Sequence, residues 1–195
     1  TLNNRHGQVA GNGGLSLHSQ ALDNADGKLQ SAANVLVYTA GHTLDNQRGH
    51  IVGDGQTRID SGALDNQYGH LQGGTDLAVN THQNALDNQH STLLSAGALT
   101  LNAGQLNNQS GELTGQGDGQ LTLTQQLDNT QGRVRAGQAL AITAAQVINR
   151  DTNTPSKGIE AGSLTMSTQT LDNTHGALRA TVQLTSTVRQ ALENV

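Results

Sequence analysis

The chain has 195 residues, of which 33% are hydrophobic and 1% aromatic, with 24 glycines, no Phe or Trp, and tyrosine only at Tyr38 and Tyr68. A globular core usually takes its bulk from aromatic rings, and a disordered chain is usually far more charged than 13%. A net charge of −5 without a basic cluster argues against a nucleic-acid surface, the lack of cysteine removes disulfides and thiolate metal sites, and no apolar run is long enough for membrane insertion as a helix.

The informative pattern starts at residue 2. Leu2-Asn3-Asn4 is followed by Gly7, Val9 and the alternating Leu15 and Leu17, and the motif then returns as Leu22-Asp23-Asn24. The second repeat passes Gly27, Leu29 and Val35/Val37, with a bulge from Tyr38 to Thr43, and reaches Leu44-Asp45-Asn46. Gly49 and Ile51 lead to Leu64-Asp65-Asn66. Gly69, Leu71 and Leu77/Val79, with a bulge from Asn80 to Ala85, lead to Leu86-Asp87-Asn88. In the fifth repeat Ser91 stands in the glycine place, before Leu93, Leu99/Leu101 and Leu106-Asn107-Asn108. Gly111, Leu113 and Leu121/Leu123, with a small loop expected from Gly115 to Gly119, precede Leu127-Asp128-Asn129. Gly132, Val134 and Leu140/Ile142 precede Val147-Ile148-Asn149. An insertion from Arg150 to Lys157 follows, containing the only proline, Pro155. Ile159 and Leu164/Met166 lead to Leu171-Asp172-Asn173, and Gly176 and Leu178 to Leu192-Glu193-Asn194. Successive motifs lie 20, 22, 20, 22, 20, 21, 20, 24 and 21 residues apart, and the Asn is present in all ten.

Alternation with period two implies strands with one buried face. Each repeat reads as three short strands separated by corners, and helix is disfavoured by the glycine content. Strands that recur at one length without Asn-Gly hairpin turns imply coiling, each turn pairing with the one before. The expectation is an all-β, single-domain parallel β-helix (β-solenoid) over 1–195, with about nine turns of about 20–22 residues and a surface insertion at 150–157. The chain begins and ends inside the repeat, so it reads as a piece of a longer protein.

Stacking places Asn4, Asn24, Asn46, Asn66, Asn88, Asn108, Asn129, Asn149, Asn173 and Asn194 in one column, where each amide can donate to the next as in cross-strand Asn ladders. The Asn is also expected to adopt the left-handed backbone of a corner, a conformation it tolerates better than most residues. The following Gly is expected where the corner leaves no room for a side chain.

Leu-Asp-Asn followed by Gly-x-Leu and Leu-x-Leu, over nearly the whole chain, resembles the repeats of the filamentous haemagglutinin family. That family includes the stalks of contact-dependent growth inhibition exoproteins. The resemblance implies a right-handed β-helix, two-partner secretion through an outer-membrane transporter, and display outside a Gram-negative cell. It also implies a role as an adhesin, as a rod presenting a receptor-binding region, or as the carrier of a C-terminal toxin. Nothing in the chain matches a secretion domain or a toxin domain.

Other chemistry is weakly supported. Asp23, Asp45, Asp65 and Asp87 form a carboxylate file, but a single file supplies few of the six to eight oxygens that Ca²⁺ takes. His50 and His70 stack on adjacent turns without a third ligand, flanked by Lys28 and Thr92. His6, Tyr68, His90 and His175 share another corner column. The convergent acid pair and aromatic platforms of a glycan-active enzyme are missing. No enzyme, cofactor or metal is therefore expected. The remaining candidate is the insertion, where Arg150, Asp151, Asn153, Pro155 and Lys157 are expected to meet a partner such as a target-cell receptor, a glycan or a host surface.

Overall fold

The computed structural model describes residues 1–195. It contains no helix, and all 23 strands pair in parallel. The first coil shows the plan: short strands Leu2–Asn3, Gln8–Gly11 and Leu15–His18 pair, respectively, with Leu22–Asp23, Lys28–Ser31 and Val35–Tyr38 of the next coil. The three ladders continue coil by coil. The long strands Ala139–Ile148, Gly158–Asp172 and Leu178–Glu193 then join them into one continuous sheet. The strands of each coil pair only with those of the neighbouring coils, the arrangement expected of a solenoid with nearest-neighbour stability.

The register stacks like on like. Leu22, Leu44, Leu64, Leu86, Leu106, Leu127, Val147 and Leu171 form one inward file, and Leu29, Ile51, Leu71, Leu93, Leu113, Val134 and Ile159 another. These side chains belong to a single core of 32 buried residues that contains no aromatic ring. Aliphatics suffice because each Leu is stacked in register with its counterpart one coil away, and burial contributes about 1.5–3 kcal/mol per side chain. Thr57 interrupts the third inward file. Its buried hydroxyl donates to the carbonyl of Gln72 at 2.6 Å, so the polar atom is satisfied.

Three expectations need correction. The left-handed residue of each corner is not the Asn but the residue two positions later: His6, Asp26, Arg48, Tyr68, His90, Ser110, Gln131, Asp151 and His175, with φ between 48° and 56°. The Asn is inside the coil, so its side chain cannot be at the outer point of the bend. Second, Gly115 to Gly119 is not a bulge. Gln116–Asp118 is the ordinary corner between the second and third ladders, with Gly115 paired to Ser95 and Gly119 to Leu99. Third, the inward pair of that coil is Gly119/Leu121, with Leu123 opposite Ala103. The space left by Gly119 is taken by Leu140, whose Cδ1 would lie 2.7 Å from a Cβ at that position.

Candidate functional site

The predicted Asn column exists, and it is continuous. Each side-chain amide donates from Nδ2 to Oδ1 of the next: Asn4 to Asn24, then Asn46, Asn66, Asn88, Asn108, Asn129, Asn149, Asn173 and finally Asn194, at 2.7–2.9 Å. Asn24 through Asn149 are fully buried. The second amide hydrogen has a place too: Asn108, for example, also donates to the carbonyls of Gly111 at 3.2 Å and Arg133 at 3.0 Å. The column therefore binds each corner to the strand that follows it and to the coil above. A buried amide must be paired in this way, since an unpaired one costs about 1–3 kcal/mol.

The glycine three residues on is a packing requirement of that ladder. A Cβ on Gly69 would lie 2.5 Å from the Asn46 carbonyl oxygen and 2.5 Å from Asn66 Oδ1. Ser91 fills the same place by joining the ladder, its hydroxyl donating to Asn88 Oδ1 at 2.6 Å. In the coil of Asn149 the place belongs to Thr152, which accepts from the Ala177 amide at 3.1 Å.

The Asp file carries a second, outer network that sequence reading missed. Oδ1 of Asp23, Asp45, Asp65, Asp87, Asp128 and Asp172 accepts the backbone N–H two residues later at 2.9–3.1 Å, closing the corner as an Asx turn. Oδ2 accepts from the residue after the Asn of the preceding coil. Gln67 donates to Asp87 at 2.9 Å, Gln109 to Asp128 at 2.8 Å, Gln47 to Asp65 at 2.5 Å, and Arg5 and Arg150 take the same role toward Asp23 and Asp172. The signal was present as Gln or Arg recurring after the Asn, with its partner one repeat away. Hydrogen bonding from Arg150 holds the Asp172 carboxyl below its ordinary range, against a smaller opposing effect of burial. Arg48 does the same for Asp26 through paired bonds at 2.7 and 2.8 Å.

His50 and His70 are opposite each other in register, with ring centroids 5.8 Å apart. His70 is already engaged by Thr92 Oγ1 and Gln72 Oε1. The His50 pKa is lowered by burial first, then by the neighbouring His70 and Lys28. No cluster of three His, Cys, Asp or Glu is assembled anywhere on the chain.

Of the insertion residues, Arg150 and Asp151 keep regular repeat positions: the Arg150 carbonyl accepts from Gln131, and Asp151 takes the left-handed place of the corner column. The extra chain is 153–157, since Gly158 pairs with Arg133 as the next strand begins. Asn153, Pro155 and Lys157 lie in it. The loop is held down by Arg179, which donates to the carbonyls of Lys157 at 2.6 Å and Thr154 at 2.9 Å.

No helix is long and apolar enough to cross a membrane. Comparison with curated proteins and with solved structures finds no match. The haemagglutinin repeat model matches the chain five times in overlapping segments, residues 1–48, 38–90, 80–131, 119–159 and 156–194. With the repeat matched end to end and its Asn, Gly and Leu positions each given a structural task, the chain belongs to the haemagglutinin-repeat family.

Proposed function

We propose that this chain is a stiff stalk segment of a secreted, cell-surface exoprotein, exported through an outer-membrane two-partner-secretion transporter. There it projects adhesive, receptor-binding or toxin regions away from the cell. The observation that carries this reading is the unbroken Asn ladder: nine consecutive bonds run along the solenoid, and bending or extending it would open buried amides. We assign no catalytic role, because the carboxylates of the Asp file are occupied by turn bonds and by bonds from the preceding coil.

The test removes whole coils from the parent protein: residues 46–87 in one variant and 88–128 in another. Each deletion rejoins the motif in register and shortens the rod by about 10 Å at roughly 4.8 Å per coil. A spacer predicts the same modest loss of reach for both, with export retained. Loss of surface activity on removal of one pair of coils but not the other would contradict it.

A second reading is favoured by the anchoring of loop 153–157. A tolerated surface insertion needs no clamp, yet Arg179 fixes two of its carbonyls. We propose the loop as a contact site for a target-cell receptor or host surface. Deletion of 153–157 brings Thr152 next to Gly158 and restores the regular repeat. Reduced surface binding by an otherwise stable parent supports the site, and unchanged binding refutes it.

A further inference from the structure

Loop 153–157 lies back against the coils that precede it. Between them is a groove of about 240 Å³ lined by no hydrophobic residue. One wall belongs to the left-handed corner column, with His90, Ser110 and Gln131 exposed along it. The floor is Gly111 and Gly132, where the Asn ladder forbids side chains, so the trough follows directly from the repeat. Arg133 and Glu112 line it beyond those glycines, and Ser156 and Lys157 of the loop complete the lining.

The charges are unequal in their commitments. Arg133 is shared between Glu112 at 3.5 Å and Glu160 at 2.6 Å, while its Nε is buried with no hydrogen-bond partner. Lys157 forms no ion pair, although the protein as a whole carries a net charge of −5. Just outside the groove Tyr68 precedes His90 in the corner column. The two rings stack with centroids 5.1 Å apart and 11° between planes, and Tyr68 is 61% exposed. The fold does not require rings at this position, because Asp26, Ser110 and Gln131 occupy it in other coils, and left-handed backbone is unfavourable for a bulky residue.

An exposed aromatic platform, a row of neutral hydrogen-bonding groups and an unpaired cation are therefore aligned over a few coils. From His90 to Gln131 is about 10 Å at the coil spacing. We infer that this groove binds a short carboxylated oligosaccharide. One sugar ring stacks on the face of His90 turned away from Tyr68, whose ring backs it, hydroxyls bond to Ser110 and Gln131, and a carboxylate pairs with Lys157. The inference rests on the second reading above, that loop 153–157 is a contact site, and gives that site its ligand chemistry.

Trigalacturonate and its neutral counterpart galactotriose are titrated into the chain and followed by calorimetry and ¹H–¹⁵N chemical-shift changes. The expected result is saturable binding of the acid alone, with shifts at His90, Ser110, Gln131 and Lys157. Lys157→Gln should weaken it about fivefold or more, as loss of a charge-assisted contact does. Tyr68→Asn, which keeps a residue suited to positive φ, should also weaken it by about fivefold. Equal binding of the neutral sugar, no binding of the acid, or insensitivity to both substitutions would overturn the assignment. The loop deletion in the parent separates the two claims. Lost surface binding without trigalacturonate binding would overturn the sugar chemistry and leave the contact site standing; retained surface binding would overturn both.

Discussion

Replacing Asn46 by Ala interrupts the ladder at its third rung. Asn46 accepts from Asn24 Nδ2 at 2.7 Å, donates to Asn66 Oδ1 at 2.7 Å and to the Gly49 carbonyl at 3.1 Å, and is fully buried. Alanine leaves the Asn66 oxygen without its donor and removes the best acceptor of Asn24, which keeps only longer bonds to the carbonyls of Gly27 and His50. Two buried groups that lose their best partner, at about 1–3 kcal/mol each, give an expected loss of about 2–6 kcal/mol. That is a large part of the 5–15 kcal/mol typical of a domain. Asn46→Asp should be at least as damaging, because a carboxylate can accept from Asn24 but has nothing to donate to Asn66, and it buries a charge. Urea unfolding followed by far-ultraviolet circular dichroism measures the loss, and amide exchange locates it in the coils on either side. Asn102→Ala, an outward and exposed Asn, is the control and should change stability by less than about 0.5 kcal/mol. A loss below about 1 kcal/mol for Asn46→Ala, or equal losses for the two alanine variants, would refute the reasoning.

Three further outcomes follow from the same contacts. Gly69→Ala should cost about 1–3 kcal/mol in unfolding assays, because the new methyl meets backbone and ladder atoms that cannot withdraw, whereas Gly119→Ala meets the mobile end of Leu140 and should cost less than half as much. Leu86→Ala, in a fully buried file, should lose about 2–5 kcal/mol by urea titration. Folding lowers the pKa of both His50 and Asp172, so each contributes stability that is complete above its unfolded value, 6.5 and 3.8 respectively, and lost as pH falls through the folded value. Unfolding curves across pH should therefore decline in two acid steps, with His50→Gln removing the upper step and Asp172→Asn weakening the lower.

The coil was legible in the sequence because its determinants are periodic. Leu, Asn and Gly each recur at a fixed offset, and stacking turns a constant offset into a column. Features that depend on backbone conformation without a residue preference were not legible. The left-handed corner place is filled by His, Asp, Arg, Tyr, Ser and Gln, so no Gly or Asn marked it. Assigning that conformation to Asn followed local propensity, whereas burial of its amide in the ladder decided the matter. The register error at Leu121 arose because Gly119 takes an inward place that Leu holds in adjacent coils, and Leu140 from the next coil fills the gap. The start of the insertion was hidden because Thr152 replaces Gly in the ladder, which made the repeat seem to end at Asn149. The outer Gln–Asp bonds and the Arg179 clamp join residues 18 to 25 positions apart, and only the register brings them together.

The most direct test of the central claim is hydrogen exchange of the side-chain amides in a chain labelled with ¹⁵N at asparagine. Nine donors, Asn4 through Asn173 of the column, each hand one amide hydrogen to the next Asn, while Asn194 has no successor. Nine slowly exchanging side-chain amides, slowest for the fully buried Asn24 to Asn149, are the predicted result. Uniformly fast exchange, or protection no greater than that of the exposed Asn102, would contradict it.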